Sequence, residues 1–231
     1  MTDRRLAILE DLERDEEAVA AELAEIDELY AACENLRGAA LELVAFLGRL
    51  PDERVAAERE IEESTRALEA AADAAERAER ELAAAEAAGD AERLAAARRF
   101  QIRTRDALGV VERRAREALS RASELEAAAK AAEERADELA SRARELADAL
   151  GRRPRVAVEA GVRPGADPAG IAEWGTQARA ALLVARSQVA AERDALVRQA
   201  NELAANVVGD PVTAMSAAGA AELLRRTLQG S

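Results

Sequence analysis

The sequence predicts an all-α protein: an elongated antiparallel coiled-coil bundle of about four long helices plus a short C-terminal helix. Three observations carry that reading. Apolar residues recur at alternating steps of three and four through most of the 231 residues, the period of helices that supercoil left-handedly around a partner. Aromatic residues make up only 2% of the chain, so burial has to come from narrow seams rather than from a broad core. The few glycines and prolines gather at a handful of places, which mark the turns.

The first predicted helix covers Leu6 to Leu47. Its seam is Leu9, Leu12, Glu16, Val19, Leu23, Ile26, Tyr30, Cys33, Arg37, Ala40, Val44 and Leu47, with Glu16 and Arg37 as polar intrusions. Toward its end Leu43, Phe46 and Leu50 widen the apolar face, as on a helix buried on two sides or docking a partner. Gly48 to Glu53 then interrupts, with Gly suited to a helix C′ position and Pro51 to the first turn of the next helix. A hairpin turn near 48–51 is the favoured reading. The alternative is one kinked rod, because the apolar phase nearly survives the break.

A second helix, Pro51 to Ala88, uses Ala57, Ile61, Ser64, Leu68, Ala71, Ala75, Ala78, Leu82 and Ala85. Gly89-Asp90 reverses the chain, and Asp90 is placed to cap the helix that starts at Ala91. From Leu94 to Leu150 the same stepping meets only two polar residues, Gln101 and Thr104. At 1.5 Å per residue this stretch would run about 85 Å. Gly109 lies beside the seam and is read as a tolerated flaw rather than a close contact.

Residues 1–150 therefore form a three-helix antiparallel coiled coil with turns near 48–51 and 89–90, followed by a loop over 151–167. In that loop Val156, Val158, Ala160 and Val162 alternate as a short strand would, and Pro and Gly forbid a helix. Residues 168–231 supply a long helix to Val208 and a short one over Ala217 to Gln229, packing back on the rod. The long one is capped by Asp167-Pro168, with Ile171, Trp174, Ala178, Leu182, Ala185 and Val189 opening its seam. Leu223, Leu224 and Leu228 mark the inner side of the short one.

The charge excludes some partners. The net charge is −13, yet residues 93–121 hold nine Arg against three acids. Residues 51–88 hold 12 acids against five bases. An acidic chain repels phosphate at long range, and only Phe100 stands along the basic stripe to stack on bases, so nucleic acid is not the expected partner. No stretch approaches the ~18 uncharged apolar residues of a membrane span, and the start shows no basic-then-apolar signal pattern. A membrane partner is not expected, and a cytoplasmic protein is.

The chemistry is limited in the same way. With no histidine, HExxH zinc sites, Glu-x-x-His di-iron sites and Ser-His-Asp triads are impossible. With Lys130 the one lysine, no GxxxxGK phosphate loop exists. Cys33 sits on a seam, where a small buried hydrophobe is expected. No catalytic, cofactor-binding or metal-ligating residue is nominated, no cofactor is expected, and the chain is read as a non-enzyme. The candidate partner contacts are Phe46, Leu50, Trp174, Arg155 and Arg163. For Trp174 a core anchor for the loop is the favoured reading over a partner hot spot.

The segment AERELAAAEAAGDAERLAAARR resembles the hairpin tip of the bacterial phage-shock membrane-remodelling family over about 25 residues, where an Ala-rich helix turns through a similar short break. That resemblance implies assembly on membranes, but the family's basic amphipathic N-terminal segment is replaced here by an acidic one. The long seams also resemble the coiled-coil arms of chromosome-organising ATPases, which implies an adaptor for a separate nucleotidase. The expectation these features favour is a non-catalytic scaffold for protein–protein interaction or self-assembly, with a protein or a second copy as partner.

Overall fold

The computed structural model describes residues 2–156 and 163–229. Among them are four helices and no strand: α1 (Thr2–Ala88), α2 (Ala91–Gly151), α3 (Pro168–Val208) and α4 (Ala217–Gln229). The chain is all-α. The strand-like alternation at Val158, Ala160 and Val162 lies outside the described residues.

The turn expected near 48–51 is not formed. α1 runs through it with Pro51 inside the helix, so three long helices and one short replace the four and one expected. Pro51 removes the N–H that would reach the Leu47 carbonyl and crowds that turn, costing about 3 kcal/mol. Burial on both sides outweighs it. Leu43 and Leu50 are buried, while Leu47, Ala57 and Ile61 continue the same stripe half-buried. Each fully buried Leu is worth about 1.5–3 kcal/mol. Continuity also explains Val44, expected on the seam but exposed. The stripes on either side of Pro51 differ by one residue in phase, and one helix reconciles them by moving from Ala40 to Leu43 instead.

Two positions do break the helices. Gly89 and Gly209 have φ of 68° and 82°, in the left-handed region. After Gly89, the Asp90 carboxylate accepts from the N–H groups of Glu92 (3.0 Å) and Arg93 (3.1 Å), capping α2 as its sequence predicts. Asp167 caps α3 through the Gly170 N–H (3.1 Å), with Pro168 in the first turn. The Gly209 N–H closes α3 on the Ala205 carbonyl at 2.9 Å.

The chain divides into two compact units, Leu43–Arg135 and Met1–Glu42 with Ala136–Ser231. In the first, α1 and α2 lie antiparallel. The ion pairs Arg54–Glu126 and Glu60–Arg121, both 2.9 Å, fix their register. None of the predicted seam positions from Ala57 to Ala85, or from Leu94 onward along α2, is exposed. Past Leu50 the buried residues of this hairpin are Thr104 and small alanines such as Ala78, Ala85, Ala97 and Ala118, which let two helix axes approach closely.

In the second unit, α3 runs antiparallel to the first part of α1. Arg179, Arg186 and Arg193, each seven residues after the last, meet Glu34 (2.5 Å), Asp27 (2.6 Å) and Glu16 (3.1 Å). Arg153, just beyond α2, pairs with Glu25 of α1. α4 packs Ala217, Ala220, Ala221 and Leu224 against Leu9, Ala200 and Ala204. Leu223, expected on that inner side, is exposed instead, because the alanine face lies a third of a turn away.

Gly175 marks a close approach of α3 to α1. A Cβ there would sit 3.1 Å from the Arg37 Cβ, whereas one on Gly109 would meet nothing within 4 Å. Ala is the better helix former by about 1 kcal/mol. Gly109→Ala should therefore raise stability by about 0.5–1 kcal/mol in urea unfolding. Gly175→Ala should give no gain or a loss, since the Arg37 Cβ is anchored to backbone. A gain equal to that of Gly109→Ala would show that the helices do not touch there.

Candidate functional site

The polar groups that interrupt the seams are where chemistry would have to reside. Glu16 is buried, 6% exposed. One of its oxygens accepts from Arg193 Nε at 3.2 Å, and the other from the Ala217 N–H at 2.6 Å, the first amide of α4. A helix N-terminus carries unsatisfied N–H groups and partial positive charge, so this carboxylate fastens α4 to α1. Arg37 donates from Nε to Thr176 Oγ1 at 3.1 Å and pairs with Glu34. Arg179 donates to the Tyr30 hydroxyl at 2.8 Å while its guanidinium lies 5.2 Å from the Tyr30 ring centroid. Thr104 donates its hydroxyl to the carbonyls of Phe100 (3.1 Å) and Gln101 (3.0 Å), consuming its polarity within its own turn.

Cys33 is fully buried, and burial pushes its thiol up to about 11. A thiol so placed stays protonated at neutral pH and is a poor nucleophile. Thiol reagents should leave Cys33 unmodified in the native chain and label it fully in denaturant. The same shift makes stability pH-dependent. Between about pH 9 and 11 the unfolded chain loses this proton and the folded chain keeps it. Stability should fall by about 2–3 kcal/mol across that window. Cys33→Ala should flatten that part of the alkaline profile; an unchanged slope would assign the loss to other groups.

The five predicted contact residues are divided between the two units. Phe46 and Leu50 belong to the hairpin unit, where Phe46 is half-buried and Leu50 buried. Trp174, Arg155 and Arg163 belong to the other unit. Trp174 is 1% exposed, so it anchors the core, the reading its sequence position favours. Arg155 is held by Glu192 and by Glu22, the latter at 3.3 Å. The Arg155 hydrogen bond keeps the Glu192 carboxyl below its ordinary range. Of the five, Arg163 alone is exposed.

No protein-family model, curated protein or solved structure matches this chain. The site is therefore judged on its own geometry. A surface depression of about 650 Å³ is lined by Glu25, Glu28, Leu29, Ala32, Ala149 and the Arg152–Arg153 pair. Its charges are of both signs, and Arg153 is spent on Glu25. A second, of about 490 Å³, follows the 211–215 segment. There the Asn201 amide clips Ala214 with two 2.9 Å hydrogen bonds. Among the described residues, no group of three or more His, Cys, Asp or Glu is arranged to hold a metal ion, and no helix is long and apolar enough to cross a membrane.

Sequence reasoning flagged Glu16 and Arg37 as breaks but missed what they bind. The available signal was the seven-residue recurrence of Arg179, Arg186 and Arg193 opposite acids of the first helix.

Proposed function

We propose that this chain is a non-catalytic coiled-coil scaffold, working in the cytoplasm by holding protein partners, a second copy of itself included. The observation that supports it best is the use made of the seam's polar groups. Glu16, Arg37, Tyr30 and Arg179 are engaged across helices, and Thr104 is closed on its own turn. These groups fasten helix to helix, which is what a protein needs when its product is a defined surface. A buried, protonated Cys33 fits a reducing compartment.

The test is cross-linking with mass spectrometry on the purified chain and in extract of its source cells. The expected result is stoichiometric cross-links from the helical faces to another copy or to one other protein. A chain that gives neither, yet turns over a small molecule or nucleotide after affinity purification to homogeneity, would overturn the proposal.

A further inference from the structure

The hairpin Leu43–Arg135 carries its charge in an unusual form. Its α1 arm holds 12 acids against five bases over residues 51–88, and its α2 arm nine Arg against three acids over 93–121. Opposite charge on neighbouring antiparallel helices would be expected to neutralise within the pair. It does so only at the end away from the turn, at Arg54–Glu126 and Glu60–Arg121. Among the described residues, every ion pair between 62 and 118 stays within one helix: Glu62–Arg66, Glu76–Arg80 and Glu112–Arg116. Arg98, Arg99, Arg103, Arg105, Arg113 and Arg114 are exposed with no carboxylate of the described residues within 4 Å. On the acidic arm the carboxylates of Glu63, Glu69 and Asp73 are likewise exposed with no ion pair among the described residues.

Apolar groups share the basic arm. Ile102 is 60% exposed and Leu119 58%, with Phe100 and Val110 also open to solvent. Single exposed aliphatics are ordinary. Several spread among unpaired arginines make a surface that gains from being covered. The interior of the hairpin offers little in exchange, since its buried residues past Leu50 are alanines and Thr104.

We propose that the hairpin is a self-association surface: the α2 basic arm of one copy packs along the α1 acidic arm of a second. A twofold axis makes the exchange reciprocal, so each copy contributes one acidic and one basic arm and the interface closes on itself. A second copy is favoured over a phosphate polymer because it supplies a complementary acidic arm of matching length. A chain of net charge −13 also repels polyanions at long range. This inference rests on the scaffold reading and names its partner.

The test is sedimentation velocity of the full chain from 50 to 500 mM salt. The expected species has twice the chain mass at low salt, and its dissociation constant rises at least ~10-fold across that range as the arms are screened. Two charge-reversed variants sharpen it: Arg99→Glu with Arg103→Glu and Arg113→Glu, and Glu63→Arg with Glu69→Arg and Asp73→Arg. Each alone should sediment as a single chain with unchanged helical circular dichroism, and an equimolar mixture should restore the double mass.

A single chain at every salt concentration would overturn the inference while leaving the scaffold reading to the cross-linking test. So would association unaffected by either variant. If a variant loses helicity, the parent's salt dependence decides. A single chain that binds a fluorescent 20-nucleotide single strand below micromolar concentration at 150 mM salt would assign the arginines to a polyanion instead.

Discussion

Trp174→Ala is expected to cost the fold about 3–5 kcal/mol, the range for removing a large aromatic from a packed interior. Trp174 is 1% exposed, and Ile171, Ala172, Gly175 and Ala178 beside it on α3 are all buried. Trp174→Phe separates two contributions. The indole Nε1–H is buried with no hydrogen-bond partner among the described residues, so none of them compensates its desolvation. An unsatisfied donor costs about 1–3 kcal/mol. Phe removes that donor along with part of the ring volume, and the net loss should be only about 1 kcal/mol.

Urea unfolding followed by helical circular dichroism measures both variants. Trp174 is the chain's one tryptophan, so the native emission should also be blue-shifted and move red on unfolding. A loss below about 1 kcal/mol for the alanine variant would mean the ring is not packed as described.

The helices were legible because their evidence is local and repeated. A seam that steps by three and four over dozens of residues leaves one phase open, and none of the α2 positions it selects is exposed. The caps at Asp90 and Asp167 were legible for the same reason, since a carboxylate ahead of a helix has few other uses. Pro51 was misread because the local penalty of proline is visible in the sequence and the competing burial is not. That burial depends on which residues α2 brings alongside, a distance of some seventy residues along the chain.

Partner contacts are hard to read from sequence for a related reason. Trp174 and Leu50 are the residue types that interfaces and cores both favour, and only burial separates the two uses. The uneven charge of the hairpin arms could be counted in advance, but its failure to neutralise within the chain could not. Side-chain reach across two helices depends on register, and register appears only when Glu60 and Arg121 are seen to meet.

Glu16→Ala should destabilise the protein by about 2–3 kcal/mol, the worth of charged hydrogen bonds at a buried carboxylate. The loss should concentrate in α4. Glu16 supplies the acceptor for the Ala217 N–H, and Ser216 Oγ supplies the one for Gly219 at 3.1 Å. Arg193, at 41% side-chain exposure, can turn to water when its partner is gone, which keeps the cost below that of a fully buried orphaned charge. Glu16→Gln should cost less, about 1–2 kcal/mol. The amide oxygen can serve Ala217 or Arg193, but the NH₂ group then faces the other donor.

Hydrogen exchange locates the effect. In Glu16→Ala the amides of 218–226 should lose protection ahead of those at 178–189, where α3 keeps its Arg–acid pairs with α1. Ser216→Ala alone should cost about 1 kcal/mol as a lost cap. Because Glu16 and Ser216 serve the same helix end, the double variant should fall short of the sum of the two. Additive losses, or α4 and α3 opening together in Glu16→Ala, would mean that α4 is held by its Ala217–Leu224 face and not by the carboxylate beneath its first turn.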